Sequence, residues 1–543
     1  MAASQRQDWV RQAAEAAIAH QVKPGIITCA SGISPSGPVH LGNLREILVP
    51  HFVAEEIRRM GEPVRHILSW DDFDRLRKVP AGLPPEFAEY IGQPLSKVPD
   101  PEGEFPSWAE RFKAPLRQSL ADLGVDVVEI SQTEMYESGA YRDEILTAVR
   151  NRETIEKILG RYRTKATDED APASTNPFER FPYKLYCRQC GHDSTLITSY
   201  DDETTVAEYS CSHCDYRGSA RLDTDHGAGK LVWKVDWPMR WAYEGVDFEA
   251  GGVDHASPGS SFTVGTQLVQ EVFGGKAPSF LGYSFVGVQG MAKMSGSAGR
   301  VPTPADALAV LEAPIVRWLY ARRKPNQSFT IDLGQEVVRL YDEWDGLARK
   351  TAEQRNEVQQ AAYERASETS LGKLPTPEVV VPFKILSSVA DVTAGSTDQI
   401  ARIVGEVGYP HESVAQLQPR LELASTWIQR YVEEEDRTKV RTTPDLERLN
   451  AVTPAEREWL DLLLEKLDPS LDLDGLTLLI YGVPKLSRGL ELDAPPTPEI
   501  AADQKEFFRL LYTLLVGKER GPRLPTLFLA LGLDRVRSLL TAS

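Results

Sequence analysis

The chain has 543 residues, with 61 Lys and Arg against 79 Asp and Glu, giving a formal net charge of −18 and a pI near 5.1. At roughly 100–200 residues per domain, that length exceeds one core and implies three to five structural units. An apolar fraction of 41% excludes a disordered chain, no run approaches the ~20 apolar residues of a membrane span, and −18 taken alone argues against a nucleic-acid partner.

Trp9, Val10, Ala13, Ala14, Ala17 and Ile18 fall at helical spacing, interrupted by Arg11 and Glu15. This predicts an amphipathic N-terminal helix and excludes a signal peptide. Ile26–Ala30 reads as a short strand, followed by a Gly/Ser/Pro loop to Asn43 and an apolar helix from Leu44 to Met60. Strand, small-residue loop and helix in that order open a nucleotide-binding α/β fold. A second strand, Pro63–Trp70, ends in the acidic cluster Asp71, Asp72 and Asp74. Residues 79–107 are rich in Pro and read as an ordered loop, and 108–150 continue the α/β pattern. A basic run (Arg150, Arg152, Lys157, Arg161, Arg163, Lys165) leads into an acidic linker ending near 180. From about 226 to 300 the pattern returns to short strands and Gly-rich loops. Beyond 301 helical periodicity dominates, and from about 370 the chain reads as almost all helix.

Four of the five cysteines form Cys187-x2-Cys190 and Cys211-x2-Cys214, separated by 20 residues. Two such knuckles supply four thiolates for tetrahedral zinc, and a closed shell is structural and not catalytic. His192 and His213 lie beside the knuckles as alternative ligands, but four cysteines already complete the set. Cys29 stands alone. This is not a disulfide framework, and it fits a reducing cytoplasm.

Two loops carry reaction chemistry. In Pro35-Ser36-Gly37-Pro38-Val39-His40-Leu41-Gly42-Asn43, Gly37 and Gly42 permit close backbone approach to a ligand, and the following helix offers free N–H groups to phosphates. His40 can donate to a phosphate that gains charge in a transition state. In Gly290-Met291-Ala292-Lys293-Met294-Ser295-Gly296-Ser297-Ala298-Gly299-Arg300, a Gly/Ser loop presents one Lys able to neutralise a leaving pyrophosphate. Each loop alone also reads as an ordinary polar turn.

Their order, with Lys293 standing 250 residues after Asn43, resembles that of the class I aminoacyl-tRNA synthetases. Phe73–Pro80, Leu231–Trp241, Gly252–Ala256 and the Asn43 that ends the first motif are similar to the class I lysyl-tRNA synthetases in particular. The similarity spans about residues 20–330. It implies an α/β fold class: a Rossmann-type catalytic domain with a zinc-containing insertion, followed by an all-α anticodon-binding region. The expected segments are 1–150 and 226–305 for the two catalytic halves and 151–225 for an inserted acceptor-stem module. A helical connecting domain is expected at 306–370 and the anticodon-binding region at 371–543.

The implied reaction joins L-lysine to ATP, releases pyrophosphate, and passes the lysyl group to the terminal ribose of tRNA(Lys). By resemblance, His40, Asn43 and Lys293 are catalytic, and Pro35, Ser36, Gly37, Gly42, Met294, Ser295 and Ser297 join them around ATP. The chain departs from the class pattern at Asn43, which can only hydrogen-bond, and at Gly296 and Ala298, which leave fewer cations on the second loop. A lysine pocket needs a carboxylate and a π-face. Asp72, Asp74, Trp233, Asp254 and His255 are the candidates for the side chain, with Gly32 and Ser34 bordering the α-amino group. Asp71 and Asp72 also fit a helix-capping role. Mg²⁺ is expected to arrive with ATP and Zn²⁺ to be structural. The expected partners are tRNA, lysine and ATP, with no membrane and no obligate protein partner, in the cytoplasm.

Two other readings compete: a class I enzyme for a different amino acid, and a zinc-containing RNA-binding protein without catalysis. A glutamate site would need Arg in the acid- and Trp-rich segments, and intact His40, Gly42 and Lys293 oppose decay. The charge argument also narrows. Cations concentrate at 150–165, at 317–324 (Arg317, Arg322, Arg323, Lys324) and at 505–543, so patchy, salt-sensitive RNA contact on an acidic surface is expected. Trp427 and Tyr431 could stack on unpaired bases or pack as core.

Overall fold

The computed structural model describes residues 8–80, 82–162, 178–256, 259–288, 301–393, 395–435 and 437–541. The second motif loop, with Lys293, Met294, Ser295, Gly296, Ser297 and Ala298, lies outside the described residues, as do Arg163 and Lys165. The chain divides into two compact units. One comprises Met1–Leu308, Ala313–Asp332 and Lys350–Leu374, and the other Ala309–Glu312, Leu333–Arg349 and Pro375–Ser543. The residues expected to form a connecting domain, 306–370, are shared between them.

The first unit is built on a five-stranded parallel sheet of Ile27–Ile33, Val64–Trp70, Val128–Ser131, Phe248–Gly252 and Ser279–Tyr283. Counted along the chain, the strand order is 3-2-1-4-5. That is the doubly wound arrangement, in which the direction of winding reverses beside the first strand and ligands gather at the carboxyl ends there. The first strand continues three residues beyond the expected Ala30, so Ser31, Gly32 and Ile33 are sheet and not loop. In-register pairing of Ser31, Gly32 and Ile33 with Leu68, Ser69 and Trp70 accounts for the extension.

The N-terminal helix, Trp9–His20, is capped by Asp8 and buries Val10, Ala13, Ala14 and Ala17, the face its periodicity marks. Around 226–300 helices replace some of the expected strands. Trp233–Glu244 is a helix because Trp233, Trp237 and Trp241 recur every fourth residue and pack on one face, and Gly245, at φ 65°, ends it in the left-handed conformation. Ser261–Glu271 is likewise helical. The described residues of 79–107 lie about a small core of Leu76, Leu95, Val98, Trp108, Ala109 and Phe112.

The cysteine-bearing insertion is an antiparallel three-stranded sheet, Thr195–Tyr200, Val206–Cys211 and Arg217–Arg221. Its entering and leaving segments, Tyr183–Leu185 and Gly229–Leu231, pair antiparallel and close it at the base. The second unit is helical. Its core includes a stacked Tyr341–Phe383 pair with ring centroids 4.2 Å apart. The buried Arg420 binds Glu312 at 2.6 Å and Asp345 at 2.8 Å. Among the described residues, no helix is long and apolar enough to cross a membrane.

Candidate active site

The loop after the first strand delivers His40 to the start of the helix Leu41–Arg59, where it is the N-cap. The Asn43 backbone N–H donates to His40 Nδ1 at 3.3 Å, and Asn43 Oδ1 accepts from the His40 backbone N–H at 3.2 Å. This reciprocal capping box has a chemical consequence. Because Nδ1 accepts, the proton of the neutral ring sits on Nε2, which is then a donor. Burial pushes the His40 pKa below the ordinary value and favours that neutral form. Asn43 therefore does more than replace a charged residue: its carbonyl fixes the motif histidine, and among the described residues its amide N–H groups meet no acceptor.

A cavity of about 200 Å³ opens at the carboxyl ends of the first and fourth sheet strands, where the winding reverses. Gly32, Trp233 and His255, three of the expected pocket residues, line it. The Trp233 and Trp237 rings stack at 5.4 Å, and His255 meets Trp237 edge-on at 5.8 Å. The acids facing this cavity are Glu46, Asp71 and Glu249. Glu249 accepts from Trp237 Nε1 at 3.0 Å and from Trp241 Nε1, which orients both indoles. Burial raises its pKa to about 7. Glu46 accepts from the Tyr283 hydroxyl, and burial raises its pKa to about 8. Arg240 donates to Asp71 at 2.9 Å, although burial still drives that carboxyl above its ordinary value.

The expected acids behave differently. Asp72 is 1% exposed and does not line the cavity. It accepts from Lys113 Nζ at 2.6 Å, from Ser131 Oγ at 2.7 Å, and from the Thr133 backbone N–H at 2.9 Å and hydroxyl at 3.1 Å. These four donors occupy its carboxylate, and the structure brings Asp72 to them and not to the cavity. Asp74 is paired with Lys230 and lies at a second cavity. Burial penalises its charge, yet Lys230 and Arg240 hold its pKa below the ordinary value. Asp254 and Ser34 are exposed and fall outside the lining of the smaller cavity.

The second cavity, about 960 Å³, lies between the catalytic sheet and the insertion. Arg75, Arg77, Lys184, Arg217 and Lys230 line it beside Asp74, Asp193 and Asp215, and with Lys230 paired to Asp74 and Arg75 to Asp193 the lining keeps a cationic excess. Trp233 borders both cavities, and an alternating ion chain joins them. Arg240 bridges Asp71 to Asp236, at 2.9 and 3.1 Å, and Lys230 bridges Asp236, at 3.4 Å, to Asp74.

The sulfurs of Cys187, Cys190, Cys211 and Cys214 lie within 4.8 Å of one another. Cys187–Cys214 and Cys190–Cys211 are each separated by 3.7 Å. Tetrahedral zinc with ~2.3 Å bonds requires sulfurs about 3.8 Å apart, so the donor set fits that ion. His192 is excluded as a ligand, because its nitrogens meet the carbonyls of Cys190 and Glu89 at 2.9 and 2.8 Å.

The basic clusters are partly consumed inside the fold. Arg317 is fully buried, bound to Glu55 at 2.6 Å and to the Leu123 carbonyl at 3.0 Å, so it is not an RNA contact. Arg152 forms a two-pronged pair with Asp202 at 2.9 and 2.7 Å. Arg537, Arg535 and Lys518 donate to backbone carbonyls. Trp427 donates to the Gly334 carbonyl at 3.0 Å and packs edge-on against Phe383. Sequence reasoning missed Glu46 and Glu249. The signal available was an acid in the first turns of the motif helix, three residues after Asn43, and another inside the strand that leads into Gly252–Ala256.

Comparison with known proteins agrees with this geometry. The family model described as tRNA synthetases class I (K) matches residues 7–373. A Lysine--tRNA ligase of Streptomyces coelicolor is 50% identical, with 98% of each chain covered. That of Thermococcus kodakarensis is 35% identical with 91% of each covered, and that of Borreliella burgdorferi 31% with 95% of each covered. With the doubly wound sheet, the capped His40 loop and the acid–tryptophan cavity at its mouth, these matches establish that the chain belongs to the class I (K) tRNA synthetase family.

Proposed function

We infer that the protein activates L-lysine with ATP and transfers the lysyl group to the terminal ribose of tRNA. The observation that carries the choice of amino acid is the small cavity at the carboxyl ends of the first and fourth strands. It joins a stacked tryptophan pair to three carboxyl groups, a combination suited to a long side chain ending in a cation.

In the first step a lysine carboxylate oxygen attacks the α-phosphorus of ATP, and the bond to the bridging oxygen breaks as pyrophosphate leaves. No protein nucleophile is needed, so catalysis consists of alignment and charge stabilisation. The neutral His40 ring donates through Nε2 to phosphate oxygens, and Asn43 adds a neutral donor. Lys293 binds the departing pyrophosphate, and Ser295 and Ser297 supply further donors. Pro35, Ser36, Gly37 and Gly42 shape the turn that lets the nucleotide approach the backbone, and Met294 belongs to the same ATP-binding set. Glu46, Asp71 and Glu249 draw in the ε-ammonium, and Gly32 leaves room at the strand end. In the second step a ribose hydroxyl attacks the lysyl carbonyl, and AMP departs. The cationic second cavity offers the RNA end a path to that carbonyl.

Mg²⁺ accompanies ATP, held largely by its phosphates. Zn²⁺ held by Cys187, Cys190, Cys211 and Cys214 would cross-link the two knuckles of the insertion. A reducing cytoplasm keeps those thiols competent for metal. The test is amino-acid-dependent exchange of pyrophosphate into ATP, with and without tRNA, across the twenty amino acids. Lysine alone should support exchange. Exchange with another amino acid, or with none, defeats the reading.

A further inference from the structure

Pro50 stands inside the helix Leu41–Arg59, the helix that His40 caps. A proline has no N–H to give, and its ring crowds the carbonyl four residues back. That carbonyl belongs to Glu46, whose side chain is one of the three acids at the small cavity. The helix therefore lacks its usual bond at a residue of the lysine pocket, and a carbonyl shielded from water needs another donor.

The donor comes from the sheet. Ser31, 1% exposed on the first strand, gives its hydroxyl proton to the Glu46 carbonyl at 3.0 Å. The same Oγ lies 2.8 Å from Nε2 of His66, a buried residue of the adjacent strand. A hydroxyl has one proton and a carbonyl only accepts, so towards His66 the serine oxygen is the acceptor and Nε2 the donor. Two further observations agree. Burial pushes the His66 pKa far below the ordinary value, so the ring is neutral and carries a single N–H. Its Nδ1 meets no partner among the described residues, and a proton there would be a buried donor without an acceptor. The bonds therefore run one way, from His66 through Ser31 to Glu46.

Pro50 and Ser31 together exchange a bond within the helix for one between helix and strand. The Tyr283 hydroxyl holds the Glu46 side chain, so the backbone and the carboxyl of this residue are fixed from two different strands. We propose that Ser31 is a positioning residue: its hydroxyl docks the carbonyl that Pro50 leaves without a helical donor, and so sets Glu46 at the cavity. The proposal rests on the reading of Glu46 as an acid that draws in the lysine ammonium.

The measurement is lysine-dependent pyrophosphate exchange, with tRNA present, at about pH 8.5, above the Glu46 pKa of about 8. Ser31→Ala should raise the lysine KM about tenfold, the scale of one hydrogen bond, and leave the ATP KM within about threefold. A wild-type lysine KM overturns the role. Pro50→Ala returns an N–H to the helix. In that background Ser31→Ala should cost less melting temperature, because the carbonyl is satisfied, yet the rise in lysine KM should persist, because the tie to the strand is still gone. A rise that vanishes there shows a hydroxyl that merely satisfies a carbonyl, and it overturns the positioning role. Should Ser31→Ala alone fail to fold, the Pro50→Ala pair carries the KM comparison with the same outcomes. In a Glu46→Gln background Ser31→Ala should add less than about threefold, and a full further rise there places its action elsewhere and overturns the role. A wild-type lysine KM for Glu46→Gln alone overturns the reading of Glu46 itself and takes the positioning role with it.

Discussion

Asp72 offers the sharpest contrast between a pocket residue and a structural one. Its carboxylate sits against the Lys113 ammonium at 2.6 Å, with side chains 2% and 5% exposed, and Ser131 and Thr133 complete its shell. Asp72→Ala removes the closer and more deeply buried of the two carboxylates on Lys113, leaving only the partly exposed Glu110 at 3.1 Å, which costs about 3 kcal/mol, the low end for a broken buried pair. Lys113→Met alone strands the carboxylate and costs a similar amount. Replacing both partners removes the buried charges together, so the double variant should recover much of the loss. The assay is heat or urea unfolding of the four proteins, followed by tryptophan fluorescence, beside lysine-dependent pyrophosphate exchange on whatever folds at 25 °C. We expect Asp72→Ala to melt lower and, where folded, to keep its lysine KM. Full stability together with a lysine KM raised tenfold or more would refute the structural reading and return Asp72 to the pocket.

The cavity acids predict a pH profile. Burial raises the pKa of Glu249 to about 7 and of Glu46 to about 8, so the free pocket is partly protonated at neutral pH. Lysine KM should fall as pH rises from about 6 to about 8, and Glu46→Gln should flatten that fall. The linked stability runs the other way. Both groups bind protons more tightly folded than unfolded, so their contribution declines as pH climbs from about 4.5 towards 8, which unfolding of ligand-free protein at several pH values checks. Metal analysis should find one zinc per chain, and Cys187→Ser with Cys211→Ser should lower both zinc content and the melting temperature. A protein with less than about half a zinc, never exposed to chelator, contradicts the site. If the cationic cavity meets about four phosphates, tRNA affinity should drop roughly 100-fold between about 50 and 200 mM salt, as filter binding would show. A flat response would remove that cavity from the RNA path.

Much of this was legible in the sequence because the signals are local. The glycine, proline and histidine of the first loop, the paired CxxC knuckles and the helical spacing at residues 9–18 need no partner from elsewhere in the chain. The strand order and the lysine pocket depend on distant pairing, and there the reading was partial. Asp71, Asp72 and Asp74 look alike in sequence. They diverge because alternation along and just after a strand turns Asp71 to one cavity, Asp72 to Lys113, and Asp74 to Lys230. Arg317 looked like a surface cation, and only a Glu55 some 262 residues away explains its burial. Glu46 and Glu249 escape notice because an acid within a helix or strand carries no local mark of what it faces.

The central strand, Ile27–Ile33, is flanked on one side by Val64–Trp70 and on the other by Phe248–Gly252. Its first neighbour emerges from the ribosome soon after it, whereas the second is made 215 residues later, beyond the whole insertion. At about 5–20 residues per second, that open edge waits roughly 10–40 s. Open edges invite pairing with other chains. The insertion, closed at its base by Tyr183–Leu185 against Gly229–Leu231, folds into a unit whose two ends are already adjacent. A long loop thereby becomes a short tether before the sheet must close, which lowers the entropy opposing that last pairing. The insertion thus also serves the nascent chain, by bringing the second half of the sheet back to the first.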